Sequence, residues 1–354
     1  MNYNLELQKI NLKLNSFVNP DDRIPVLKQG ILLSDANNDI EWGFDFRLEL
    51  IGEEARSSRC IESFPAFTWI LDIHDKNPTL FDEKEFLWEY KWMANASYRN
   101  SNINIDQIEK IFEDLKIRMT RNSYSLRGYY SIMIEWYMFI GKIEEMDHYI
   151  ELRDKEARDD MSHCQACELD TKVEAELIKG NIDKAIENAK DLFAKKFSCA
   201  HMPFATFCTF AYYLNKLRDS RSADFYNKAM DELKNVDKSD SSIISTISLL
   251  INYLINNDKE KAFSLYEKYS PWELNAEDYF QFIFAKNVLN LFYAETTRSL
   301  KISVDHPLYS NLGEYNLKDL YNHYYTHAFH LAKKFDNRNK TLWFTNSLQE
   351  EVKS

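Results

Sequence analysis

The amino-acid sequence predicts an all-α protein built from antiparallel helical hairpins that stack into one continuous solenoid. Three observations lead there: scarce glycine and proline, apolar stripes at helical spacing along most of the chain, and a turn-and-helix block recurring about every 39 residues. Only seven glycines and seven prolines occur in 354 residues. A β-sandwich or barrel of this length needs many more turn glycines, because tight turns call for positive φ. The glycines (Gly30, Gly43, Gly52, Gly128, Gly141, Gly180 and Gly313) are widely scattered, so neither G-x-G-x-x-G nor G-x-x-x-x-G-K-[ST] is present. The familiar phosphate-cradling loops are therefore absent, which weighs against a nucleotide-driven enzyme.

Taken in order, residues 1–122 read as N-terminal hairpins of degenerate, longer pattern. Helical stripes cover Ile40–Leu50, Ile61–Ile73, Glu83–Ala96 and Ile105–Met119, with turns expected near Gly52 and across Asn100–Asn104. Residues 123–270 hold the repeat. The segments IGKIEEMDHY from Ile140, KGNIDKAIEN from Lys179, LRDSRSADFY from Leu217 and NNDKEKAFSL from Asn256 align. Their key positions Met146, Ala185, Ala223 and Ala262 are separated by 39, 38 and 39 residues, as in a stacked repeat. In the clearest unit Ile182, Ala185, Ile186, Ala189, Leu192, Phe193 and Phe197 form the stripe of a helix buried on one side. Gly180 stands where a left-handed residue ends the preceding helix, and Asn181 where the next is capped; Asp219 and Asp258 occupy similar capping places. Connections of two or three residues force paired helices to lie antiparallel. Residues 271–354 continue or cap the stack, with helices expected over Asp278–Leu300 and Leu317–Phe335 and a loop over Ser303–Asn316.

Gly180 followed by Ala185, Ala189 and Leu192 resembles the tetratricopeptide pattern. These units are several residues longer than that family's period of about 34. The run CELD at Cys167–Asp170 followed by CAHMP from Cys199 is similar to a block in uncharacterised bacterial tetratricopeptide-like proteins. The resemblance implies a right-handed α-solenoid whose first helices line a groove, and a non-enzymatic scaffold that binds a protein or peptide there. Transferring groove positions from Met146, Ala185, Ala223 and Ala262 points to Glu135, Asp170, Glu174, Tyr212 and Asn215. Three carboxylates and a tyrosine suit a basic or amphipathic segment.

Composition narrows the partners. Fifty-six acidic against 44 basic residues leave a formal charge of −12, which repels a phosphate backbone and argues against nucleic acid. The apolar run Tyr129–Ile140 contains Glu135 and is too short to span a bilayer. The start lacks the basic and apolar regions of a secretory signal, and five cysteines, an odd number, suit reduced thiols in a cytoplasm. Nothing in the chain indicates an oligomeric state. The 21 tyrosines, 23 phenylalanines and seven tryptophans fill space between helices.

One constellation carries chemistry. Ser162-x-x-Gln165 resembles a capping box, which puts Cys164 and Cys167 in the first turns of a helix. Pro203 suits the first position of the next unit's leading helix, so Cys199 and His201 lie just before it. Equivalent helix starts in a stack are about 10 Å apart, so Cys164, Cys167, Cys199 and His201 can converge on a structural zinc ion, with His163 as another fourth ligand. The plainer alternative is that the thiols are small buried hydrophobes or redox-sensitive groups, as in a metal- or thiol-dependent sensor. His323, His327 and His330 share a helical face but lack the glutamate of H-E-x-x-H, so they read as a packed or solvated face. Asp72, His74 and Asp75 have no nucleophile placed with them, and no catalytic residue is assigned. An enzyme with an unrecognised site is the remaining alternative.

Overall fold

The computed structural model describes residues 3–353, and they form eighteen α-helices with one two-stranded antiparallel ribbon. The chain is all-α. The first four helices are α1 (Tyr3–Leu14), α2 (Pro20–Ala36), α3 (Ile40–Ala55) and α4 (Ser63–Lys76), each packed on the next. A short 3-10 turn at Glu83–Glu85 leads into α5 (Leu87–Arg99), which pairs with α6 (Ile105–Arg121). Gly52 lies within α3, so the turn expected there falls instead after Ala55. A helical glycine costs only about 1 kcal/mol, which the buried Leu50 and Ile51 beside it offset.

Four helix pairs follow between Ser123 and Ser270. They are α7 (Arg127–Phe139) with α8 (Ile143–Lys155), and α9 (Gln165–Ile178) with α10 (Ile182–Asn188) and its short continuation α11 (Lys190–Phe193). Next come α12 (Phe204–Lys216) with α13 (Ser222–Glu232), and α14 (Ile244–Asn257) with α15 (Lys259–Tyr269). Gly141 and Gly180 adopt φ of +73° and +77° at the first two turns, as a left-handed helix stop requires. Arg218, at φ +57°, takes that place in the third.

The repeat register holds at Met146, Ala185 and Ala262, all fully buried. It fails at Ala223, which is exposed. Helices α8 and α10 begin two residues after their left-handed glycine, whereas α13 begins four after Arg218, so Ser222, Phe225 and Ala229 take the buried places. Two caps also differ. Asn181 gives its side chain to Glu176 rather than to the helix start, and Asp219 caps the turn at Arg221 ahead of α13. Asp258 caps α15 as expected.

The leading helices α5, α7, α9, α12 and α14 each touch the next, and α14 touches α16 (Asp278–Val288). Hydrogen bonds join them at separations near one repeat: Asn95 to Glu135 (40 residues), Asp170 to Thr206 (36) and Ser248 to Asn287 (39). Helix α16 ends at Val288, passes through a 3-10 turn at Leu289–Phe292, and gives way to strand β1 (Thr297–Ser299), which pairs with β2 (Glu314–Asn316). The single helix expected over Asp278–Leu300 is thus cut short. Helices α17 (Leu317–Asn339) and α18 (Trp343–Lys353) complete the chain.

These last helices do more than extend the row. The start of α16 meets the end of α5, where the Ser101 amide donates to Asp278 at 2.8 Å. Arg338 of α17 donates to the carbonyls of Tyr98 and Asn100 at 2.8 and 2.7 Å, a cation placed on the C-terminus of α5. Phe344 of α18 stacks among Phe139, Phe335 and Phe282, with ring centroids 4.8 to 5.4 Å away. No helix among the described residues is long and apolar enough to cross a membrane.

Candidate metal centre and inner acidic face

The three cysteines meet in space. Cys164 Sγ lies 2.9 Å from Cys167 Sγ, Cys167 Sγ lies 3.7 Å from Cys199 Sγ, and all three sulfurs fall within 4.8 Å of one another. This set can hold a metal ion. Cys164 is itself the N-cap of α9, its sulfur accepting the Cys167 amide at 3.2 Å. The expected capping box is absent because the Ser162 hydroxyl is engaged with Asp159, two residues before the loop reaches Cys164. Helix α12 starts after Pro203, with Cys199 and His201 in the link before it.

The surroundings hold this corner in place. Glu168, buried one turn into α9, receives Arg127 and Arg158 at 2.6 Å each. The Lys91 ammonium donates to the Met161 carbonyl at 2.6 Å, and burial lowers its pKa to about 8. At Cys199 the neighbouring Cys164 and Cys167 sulfurs hold the pKa well below the ordinary thiol value. The backbone amides of His201 and Met202 also point at that sulfur. Amides aimed at sulfur favour thiolate over thiol.

The two histidines differ. His201 Nε2 lies 2.7 Å from Asp240 Oδ2, and that contact raises its pKa. His163 Nδ1 faces Glu135 Oε1 at 3.5 Å, while burial and then the cations Lys91, Arg153 and Arg158 push its pKa well down. His163 is thus a neutral ring directed at Glu135, and His201 is the histidine whose charge Cys199 and Asp240 both feel.

The five groove positions divide. Glu135 on α7 and Asp170 and Glu174 on α9 are partly open to solvent yet largely surrounded by protein. Burial raises Asp170 to about 6, against the Thr206 hydroxyl that donates to it at 2.5 Å. Burial, then Asp170 and Glu135, raise Glu174 to about 7. Burial also raises Glu135, although Arg99 and Asn95 oppose it. Tyr212 and Asn215 instead face the C-terminal helix. Tyr212 is buried beside Glu351, and Asn215 accepts from Asn257 at 3.3 Å and lines a cavity of about 490 Å³ with Asn252, Asn290 and Glu350. Tyr213 and Tyr279 are the tyrosines that feel Glu174. One residue turns a helix face by about 100°, which separates Tyr213 from the position that counting selected.

Asp240 was not singled out from the sequence, although its 39-residue distance from His201 equals the repeat. Tyr279, Arg99 and Glu277 come from distant units, and no local pattern marks them. His323 and His327 pack as expected: His323 lies 5.0 Å from the His306 ring, and His327 Nε2 is 2.7 Å from Gln281 Oε1. No protein family, characterised protein or solved structure matches this chain. Its class therefore rests on its own residues and geometry.

Proposed function

We propose that the chain is a non-enzymatic scaffold, a right-handed helical-repeat solenoid similar to tetratricopeptide proteins, that binds a basic or amphipathic protein segment. It works in the cytoplasm, and a structural zinc ion at the cysteine cluster is part of the reading. Hairpins that stack through their leading helices present those helices to a common ligand. The observation that carries the proposal is Asp170 and Glu174, one turn apart on α9 with raised pKa values. Among the described residues neither forms an ion pair, so a cationic side chain entering the face supplies the missing counter-charge.

Fluorescence anisotropy with a labelled lysine- and arginine-rich helical peptide tests this. Binding should weaken with salt, fail for an acidic peptide of equal length, and fall at least tenfold in the Asp170→Asn/Glu174→Gln double variant. Equal binding of acidic and basic peptides, or an unchanged double variant, overturns it. One observation favours a second reading, an enzyme: Glu174 at about 7 stands beside Tyr213 and Tyr279, matched to proton transfer at neutral pH.

A further inference from the structure

The cysteine cluster offers three sulfurs, one short of a closed tetrahedral zinc site. We infer that His201 supplies the fourth ligand through Nδ1, oriented by Asp240 on its Nε2, so that one zinc ion pins three consecutive helical hairpins together. The inference rests on the proposed metal occupancy and goes beyond it by naming the fourth ligand and the carboxylate behind it.

The sulfur geometry sets the scale. A tetrahedron with zinc–sulfur bonds of about 2.3 Å has edges of about 3.8 Å. Cys167 and Cys199 already stand 3.7 Å apart, and the whole set spans no more than 4.8 Å. Cys164 and Cys167, at 2.9 Å, need only separate by rotating the exposed Cys164 side chain. The amides of Cys167, His201 and Met202 already point at the sulfurs, as thiolate ligands require. The other two cysteines are elsewhere: Cys208 is fully buried in the apolar core, and Cys60 packs against it near Glu54 and Glu277.

His201 stands two residues after Cys199, beside the three-sulfur group, and its Nε2 is already engaged by a carboxylate. With Nε2–H donating to Asp240, the neutral ring carries its lone pair on Nδ1. A histidine that binds a metal through one nitrogen nearly always donates the other N–H to a carboxylate or carbonyl. The Asp240 carboxylate is held in turn, since its Oδ1 accepts the Ser242 amide at 3.0 Å and the Ser242 hydroxyl at 2.5 Å. His163, the other candidate, has a carboxylate contact that is longer, 3.5 Å to Glu135 against 2.7 Å for His201 and Asp240, and so orients its ring less firmly. Soft thiolates with one imidazole in tetrahedral array select zinc. On binding, whatever protons the sulfurs still carry pass to solvent, and no oxidant or reductant is involved.

The consequence is mechanical. Cys164 and Cys167 belong to the start of α9, Cys199 and His201 to the link into α12, and Asp240 to the 3-10 turn that opens α14. Asp170, the next turn of α9, feels the charge on Cys199. The metal thus fixes the helix that carries the acidic face.

The test uses the full chain purified without chelator. Elemental analysis should give one zinc per chain, and the cobalt-substituted protein should show the intense visible bands of a tetrahedral sulfur–nitrogen site. Asp240→Asn keeps a side-chain cap for the following turn and should weaken zinc 10- to 100-fold. His201→Ala should weaken it further and change the cobalt spectrum, while His201→Cys should restore tight binding as a four-sulfur site. Zinc held equally well by wild type, His201→Ala and Asp240→Asn overturns the ligand assignment but leaves metal occupancy intact. Wild type without zinc, with Cys164 and Cys167 joined as a disulfide, overturns metal occupancy itself and identifies a thiol pair.

Discussion

Gly141 turns the α7–α8 hairpin against the indole of Trp343, so close that a Cβ on the glycine would stand 2.4 Å from the ring. Its φ of +73° is a second reason for glycine. The pair ties a hairpin turn in the middle of the chain to the first residue of α18. Gly141→Ala should therefore destabilise the protein by about 2 kcal/mol or more, combining left-handed strain of about 1–2 kcal/mol with displacement of the indole. Tryptophan fluorescence during urea unfolding should show an altered native signal and an earlier midpoint. An unchanged midpoint would mean that Trp343 leaves this turn at no cost.

Ala185 is fully buried where α10 packs on α9. Ala185→Asp puts a carboxylate there with no space for a counter-ion. The cost should reach several kcal/mol, because an unpaired buried charge either stays desolvated or takes up a proton. Circular dichroism on heating should show the melting temperature lowered by roughly five degrees or more, or no folded protein. Ala223→Asp, on the exposed side of α13, should melt within a few degrees of wild type. Equal loss in both variants would contradict the slipped register of the third hairpin.

Glu174 gives the protein a defined pH dependence. Burial raises its pKa from 4.5 to about 7 in the folded chain, while the unfolded chain keeps the ordinary value. The folded state thus holds a proton that the unfolded state releases between those limits. The resulting stabilisation is full below about pH 4.5 and is lost as pH rises through 7. Glu174→Gln should be more stable than wild type at pH 8, by on the order of 1 kcal/mol after solvent screening. The difference should vanish near pH 4.5. Paired thermal melts at each pH cancel other titrating groups, and a Gln variant less stable than wild type at pH 8 would refute the assignment.

Chelation provides the last test. Because three cysteines from two hairpins meet at one point, removing a bound ion takes away their shared partner and frees the link before α12. Dialysis against a strong chelator under reducing conditions should lower the melting temperature, and zinc alone should restore it. Hydrogen exchange should rise first at residues 195–203 and at the start of α9. A melt unaffected by chelator and by added zinc would leave the sulfurs as ordinary reduced thiols.

Local chemistry made much of this fold legible. Sparse glycine, apolar stripes and the turns at Gly141 and Gly180 were enough to locate the helices of the repeat, since each signal acts within a few residues. The cysteine cluster was legible for a related reason: a 39-residue repeat brings equivalent helix starts together, and Cys167 and Cys199 inherit that neighbourhood. Where the period slips, as at Ala223, counting reaches an exposed face, because each residue rotates a helix by about 100°.

By itself, then, the sequence determined an all-α chain, its helical hairpins between Ser123 and Ser270, and the meeting of Cys164, Cys167 and Cys199. Tertiary structure alone decided which side chains share a site across many units. The return of α16 and α17 onto α5 brings Tyr279 toward Glu174, and places Arg338 on the carbonyls of Tyr98 and Asn100. The same return sets Trp343 against Gly141. Such pairings join residues up to 240 positions apart. They depend on how distant helices pack against one another, which no local pattern of residues encodes.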